Sequence, residues 1–300
     1  MGALLACDWG TTNLRAWVLG VNGAVEAKRE FALGVAKLAP GEAEQRFKDE
    51  VRPALNAQDL PAVLCGMIGS ALGWTAVPYV DCPASLSDLA AGLYRADDRS
   101  RIVPGLRGPG LEDGGFDVMR GEETQLFGWL ARDSARAQGR HIVCHPGTHA
   151  KWALVEDGRV VRFLTAMTGE LFDVLSRHGV LKSDAPADDA QAFLKGVEAA
   201  ADGGELSARL FTVRTRVVAS GLPARSATSY LSGLLIGSEI ASLPRLLGVG
   251  EDETIALLGD DRLCGWYAMA LTHKGRRSES FDGDEAALAG LRALAQGGGL

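Results

Sequence analysis

The chain opens with three short strand-like runs. Residues 3 to 8, 14 to 20 and 24 to 33 are apolar or alternate between apolar and polar, and Val21-Asn22-Gly23 between the last two is a hairpin signal. This pattern predicts three antiparallel strands. The period then lengthens to that of a helix over residues 41 to 55, a short buried strand follows at Ala62 to Cys65, and PGLRGPGLEDGG (104 to 115) reads as a loop. A helix is predicted from Glu122 to Ala137.

The opening then repeats. VCHPGTHAKWALVEDGRVVRFL (143 to 164) follows the plan of ACDWGTTNLRAWVLGVNGAVEAKREF (6 to 31). Cys144 falls on Cys7, Gly147 on Gly10 and Thr148 on Thr11, while Asp157-Gly158 answers Asn22-Gly23. Two Gly-Thr turns alone could be coincidence; the shared order of strand, polar turn, strand, Asn/Asp-Gly hairpin and strand argues for duplication. The expected division is a first domain over 1–138 and a second over 139–300.

Beyond the second hairpin, residues 165 to 179 predict a helix opened by Thr168 and stopped by Gly179. Residues 188 to 217 predict two more, and 225 to 247 a long one whose Gly233, Gly237 and Ala241 form a small-residue packing stripe. Residues 253 to 271 read as a buried strand, a turn at Gly259 and a helix opened by Asp260 or Asp261. A last helix over 284–296 is expected to pack back on the first domain, and the tail QGGGL to be disordered.

Composition narrows the ligand. With 300 residues and 47% hydrophobic content the chain can bury two cores. A formal net charge of -7 offers no basic footprint for nucleic acid or an anionic membrane, leaving a small molecule as the default partner. The cysteines at 7, 65, 82, 144 and 264 show no C-x-x-C spacing and read as reduced, mostly buried thiols. Leu5-Ala6-Cys7 looks superficially like a lipoprotein cleavage site but lacks an export signal's basic and apolar segments, and no run approaches a membrane span. The expectation is a cytoplasmic protein, with a homodimer as the default assembly.

The polar turns carry the chemistry. Gly-Thr turns between strands offer backbone N–H groups and hydroxyls to an anion, as phosphate binding requires. Neither G-x-x-x-x-G-K-[ST] nor G-x-G-x-x-G occurs, so a P-loop or dinucleotide fold is not indicated. Asp8 ends a predicted buried strand, where a carboxylate suits Mg²⁺ or simply caps the turn. His145 holds the matching place in the second hairpin, so only one half would carry a metal.

In VMRGEETQLFGWL (118 to 130), Glu122 and Glu123 begin a helix, where the macrodipole favours carboxylates in any case; either could also act as a general base. His145 and His149 are spaced i, i+4, but Pro146-Gly147 between them disfavours a helical metal pair. A loop in which Gly147, Thr148 and His149 meet phosphate and Lys151 balances charge competes with a purely structural turn. The strand-Gly259-helix junction could receive a flat base such as adenine, although such junctions occur in any α/β domain.

Taken together, the Asp-x-Gly-Thr hairpin at 8 to 11, the Gly-Thr hairpin at 147 to 148 and the strand-Gly-helix at 255 to 271 resemble the phosphate and adenosine motifs of the actin-type ATPase superfamily, which includes sugar kinases. CDWGTTNLRAW, CGMIGS (65 to 70), EDGGFDVMRGEE (112 to 123), HPGTHAKW and MTGELF (167 to 172) resemble the 2-dehydro-3-deoxygalactonokinase family more closely, over nearly the whole chain. The resemblance implies an α/β protein of two RNase H-like domains with an interdomain active-site cleft that closes over ATP and substrate. It also implies transfer of the ATP γ-phosphate to the C6 hydroxyl of 2-dehydro-3-deoxy-D-galactonate.

Under that resemblance Asp8 organises Mg²⁺. Gly10, Thr11, Thr12 and Asn13 meet one side of the phosphates, Gly147, Thr148 and His149 meet the other, and Gly259 lies near adenine. Glu122 is preferred over Glu123 as base, with Asp8 as the alternative, and Arg15, Arg120 and Lys151 are candidates for the substrate carboxylate. An exopolyphosphatase-type hydrolase shares the fold and a Gly-Glu-Glu helix start; a sugar-sensing regulator of the fold and a kinase for the gluconate-type epimer are further alternatives.

Overall fold

The computed structural model describes residues 2–182, 187–200 and 205–300. It divides into two compact units, one comprising Met1–Arg140, Val155–Arg162 and Asp282–Leu300, the other His141–Leu154 and Phe163–Phe281.

The strands of the first unit are β1 (Leu4–Trp9), β2 (Leu14–Leu19), β3 (Val25–Phe31), β4 (Ala62–Gly66), β5 (Val80–Asp81), β6 (Ala84–Ser85), β7 (Tyr94–Arg95), β8 (Ser100–Ile102), β9 (Leu106–Pro109) and β10 (Phe116–Met119). The main sheet runs β3-β2-β1-β4-β8-β7. β1 pairs antiparallel with β2 and parallel with β4. All six residues of β1 are buried because both faces are covered. Leu5, Cys7 and Trp9 pack with Phe47, Val51 and Ile68, while the helix Gly283–Gly297 lies against β1 and β4.

That helix crosses the helix Glu122–Ala131 at backbone contact. A Cβ at Gly128 would lie 1.8 Å from the Ala286 carbonyl oxygen, and one at Gly290 2.0 Å from that of Thr124. Glycine at both positions lets the end of the chain seat against the helix that begins with the two glutamates. This is why residues 282–300 group with the first unit.

The second unit repeats the plan with β11 (Arg140–His145), β12 (Ala150–Glu156), β13 (Arg159–Ala166), β14 (Ile255–Gly259) and β15 (Ser278–Asp282), ordered β15-β14-β11-β12-β13. In each sheet the first strand is central, its hairpin strands lie to one side, and a later parallel strand, β4 or β14, to the other. This is the RNase H-like order. Residues 155–162, the outer end of the β12–β13 hairpin, group with the first unit, where Arg159 and Val160 pair with β6.

Helices Thr168–Arg177, Ala190–Ala199, Leu206–Ala219 and Ala227–Leu246 enclose a further core around Tyr230, Leu231 and Leu234. The predicted pair over 188–217 corresponds to the middle two; residues 201–204 lie outside the described residues. Gly233 has the packing role its spacing suggests, since a Cβ there would stand 1.9 Å from the Phe193 carbonyl oxygen.

Three expectations differ from the structure. The predicted loop over 104–115 contains β9, which pairs with β10 as a hairpin, because Leu106 and Gly108 face inward while Arg107 and Pro109 are exposed. The helix from Glu122 ends at Ala131, and residues 134–137 form a separate 3₁₀ turn started by the Asp133 side chain. The QGGGL tail is ordered by the final helix: Gln296 and Gly297 belong to it, and Leu300 N–H donates to the Ala295 carbonyl at 2.9 Å.

Candidate functional site

In the first unit, antiparallel pairing places Arg15 opposite Asp8. Arg15 Nη2 donates to Asp8 Oδ2 at 2.7 Å, and Nη1 bonds Asp284 in the first turn of the last helix. Lys28 adds a 3.0 Å contact to Asp284. Burial pushes the Asp8 carboxyl above its ordinary range, and the charge of Arg15 opposes that shift. Arg15 therefore holds a carboxylate pair rather than standing ready for a substrate carboxylate.

The Gly10–Asn13 turn is braced from behind. Amides of Gly34, Val35 and Ala36 donate to the carbonyls of Thr12, Gly10 and Thr11 at 3.0 to 3.1 Å. Gly34 permits this, since a Cβ there would fall 2.1 Å from the Thr12 carbonyl carbon. Thr11 and Thr12 are exposed, whereas the Gly10 N–H is spent on the Asn13 carbonyl and the Asn13 side chain on Glu30.

β4 ends beside Asp8 at Gly66, whose φ is +88°. A Cβ there would meet the Trp9 carbonyl oxygen at 2.7 Å and Asp8 Oδ1 at 3.2 Å. Gly121, with φ +110°, packs against Gly66 and starts the glutamate helix. The two glutamates then differ. Glu122 is half-buried and accepts from the Arg120 N–H at 3.1 Å. Glu123 is fully buried, with its oxygens bonded to the Gly121 N–H at 2.6 Å and the Thr124 hydroxyl at 3.0 Å. Burial, reinforced by the neighbouring Glu122 charge, pushes the Glu123 carboxyl up to about 8.

Arg120 lies over the Tyr79 ring at 4.4 Å and donates from Nη2 to the Val77 carbonyl at 2.7 Å. Its Nε and Nη1 are buried without a hydrogen-bond partner. A Cβ at Gly69, within the CGMIGS stretch, would stand 2.8 Å from that Nη1.

The second unit contains a cavity of ≈ 830 Å³. Gly147, Thr148, Thr168, Gly169, Asp260 and Trp266 are among the residues lining it. The turn and the Thr168 helix fit without a gap: a Cβ at Gly169 would be 2.4 Å from the Gly147 carbonyl oxygen, and Glu170 N–H donates to the Thr148 carbonyl at 3.0 Å. An amide-bearing turn and a helix N-terminus thus open on the same space, the arrangement that attracts an anion. Trp266, packed on Phe193 at 4.6 Å between centroids, supplies an aromatic wall.

Three predicted residues fall outside the cavity lining. His149 pairs with Glu170 at 2.5 Å, Lys151 sits buried in β12 and donates to Thr165 at 2.8 Å, and Gly259 leaves Asp260 to form the wall. Gly259 is instead the counterpart of Gly66: each ends the strand parallel to its unit's first strand, and a Cβ at Gly259 would lie 3.5 Å from the Pro146 carbonyl oxygen. Two participants escaped sequence reasoning. Asp284 is remote in the chain from Asp8, and Glu239 is a single acidic residue within an apolar helix.

As for a metal, no group of three His, Cys, Asp or Glu gathers among the described residues. Asp8 fits an ion that needs one protein carboxylate and takes its other ligands from water and phosphate, as Mg²⁺ commonly does.

Comparison with known proteins covers nearly the whole chain. A family model described as 2-keto-3-deoxy-galactonokinase matches residues 8–294. The 2-dehydro-3-deoxygalactonokinase of Escherichia coli (strain K12) is 35% identical over 97% of both chains. A Rhizobium meliloti (strain 1021) protein named "Probable 2-dehydro-3-deoxygalactonokinase DgoK1" is 38% identical over 98% of this chain and 97% of its own. A crystal structure described as that of "a putative 2-dehydro-3-deoxygalactonokinase protein from Sinorhizobium meliloti" superposes with a TM-score of 0.86, at 38% identity and 98% coverage of both chains.

Proposed function

The chain belongs to the 2-keto-3-deoxy-galactonokinase family, and from that premise we propose that it transfers the γ-phosphate of ATP to the C6 hydroxyl of 2-dehydro-3-deoxy-D-galactonate, giving ADP and the 6-phosphate. The observation that carries the nucleotide half of this reading is the second-unit cavity, where the Gly147–Thr148 turn and the start of the Thr168 helix meet beside an aromatic wall. Phosphates take the polar turn and the base takes the Trp266 side.

The first unit supplies the groups for acid and metal. Asp8 holds Mg²⁺, which when bound neutralises the triphosphate charge. Thr11 and Thr12 donate to phosphate from the braced turn. Glu122, half-buried at the helix start, takes the proton from the C6 hydroxyl as it attacks. Glu123 is a poorer base, because a carboxyl that titrates near 8 is protonated at neutral pH.

Arg120 is the best partner for the substrate carboxylate. In this half-buried side chain Nε and Nη1 are shielded from solvent without a partner, which is costly until an anion pairs with them, and a guanidinium fork matches a carboxylate. Arg15 is committed to Asp8 and Asp284, and Lys151 is built into β12. The test is a coupled ADP-release panel over 2-keto-3-deoxy sugar acids. ADP should form only with the acid present; equal release with and without every acid refutes the kinase reading.

A further inference from the structure

Glu239 lies within the Ala227–Leu246 helix, is 4% exposed, and takes no part in the chemistry above. Its Oε1 accepts from Trp152 Nε1 at 2.6 Å; its Oε2 accepts from Tyr267 Oη at 2.9 Å and from the Thr168 hydroxyl. The three donors stand on three elements. Trp152 follows the 147–148 turn on β12, Thr168 opens its helix, and Tyr267 belongs to the helix Asp261–His273 after Gly259. Thr168 and Tyr267 also line the cavity.

We propose that Glu239 is a positioning residue for the nucleotide, fastening the phosphate turn, the Thr168 helix and the Tyr267 helix around one buried carboxylate. Burying a carboxylate is costly, and three donors aimed at it offset that cost only while all three keep their places. What the charge adds over packing is direction: the hydroxyl hydrogens of Thr168 and Tyr267 turn inward to one point, which fixes both rotors. Fixing Thr168 seats Gly169 against the Gly147 carbonyl and aligns the Glu170 N–H with Thr148, so the geometry of the turn depends on a group that touches no phosphate.

The proposal rests on the nucleotide reading of the cavity and can fail separately from it. ADP binding is measured by calorimetry on the full chain, wild type and Glu239→Gln, with the KM of the acid measured alongside. A glutamine cannot accept from all three donors, so ADP affinity should fall about ten-fold while the acid KM stays unchanged. Tyr267→Phe, which removes one donor and keeps the ring, should weaken ADP in the same direction and serves if the glutamine variant does not fold.

A pH arm separates positioning from packing. Burial pushes the Glu239 carboxyl up to about 6, so wild-type affinity should drop between pH 7.5 and 5.5 more steeply than that of Glu239→Gln. The titratable groups facing it, Tyr267 and Cys144, are pushed well above neutrality by burial and stay uncharged throughout. Equal ADP affinity in wild type and both variants, or parallel pH slopes, overturns the positioning role. A wild type that binds no ADP at any pH overturns the nucleotide reading on which it stands.

Discussion

Replacing Glu123 by glutamine should make the protein more stable at alkaline pH, and the size of the effect follows from burial. Glu123 is fully buried and titrates near 8 in the fold against an ordinary 4.5. A carboxyl raised in this way contributes stability that is fully present below about pH 4.5 and is lost as pH climbs through 8. Across that window the loss amounts to about 5 kcal/mol, rising by about 1.4 kcal/mol per pH unit.

Glutamine keeps the shape and never ionises. The difference in unfolding free energy between variant and wild type should therefore grow in the variant's favour from pH 5 to pH 9 and then level off. For a unit of this size each kcal/mol moves the midpoint by about 2–4 °C, so thermal midpoints should diverge by roughly 10 °C. The assay is ligand-free thermal unfolding of both proteins at pH 5, 7 and 9. Subtraction removes the titrating groups that do not interact with Glu123. Parallel pH curves would show that Glu123 ionises freely in the fold and would reopen it as a base; on the present account Glu122→Gln, not Glu123→Gln, abolishes turnover.

Asp8→Asn should lower kcat by orders of magnitude while far-UV circular dichroism stays unchanged, and near-normal turnover at saturating Mg²⁺ would remove its metal role. Arg120→Met should raise the acid KM with little effect on the Kd of ADP, whereas Arg15→Met should spare the acid KM and lower kcat; reversed patterns in steady-state kinetics would exchange the two arginines. Gly290→Ala, which places a Cβ 2.0 Å from the Thr124 carbonyl oxygen, should cost about 1–3 kcal/mol in urea unfolding, and a loss below 0.5 kcal/mol would show that the helix crossing relaxes freely.

The architecture was legible because it was written twice. The pairing of Cys7 with Cys144 and of Gly10 with Gly147 predicts two sheets of one plan, and both have the first strand central. What local pattern could not supply was commitment. Arg15 and Arg120 are equivalent cations in sequence, and only the fold shows that the first is held between Asp8 and Asp284 while the second keeps unpaired N–H groups. Glu122 and Glu123 likewise differ by one position on a helix, yet one is half-buried and the other sealed. β9 was hidden by glycines and prolines that mark a loop when read by composition alone, yet it is the middle strand of the sheet β10-β9-β5. Glu239 gave no signal because a lone acid in an apolar helix matches no motif; its three donors come from positions 152, 168 and 267.

The most direct measurement is the identity of the product. ATP, Mg²⁺ and 2-dehydro-3-deoxy-D-galactonate are incubated with the protein and followed by ³¹P NMR. A phosphate attached to the terminal CH₂ should appear as a monoester signal split by two protons, in step with ADP and only when the acid is present. Inorganic phosphate released at the same rate with and without the acid would contradict the assignment.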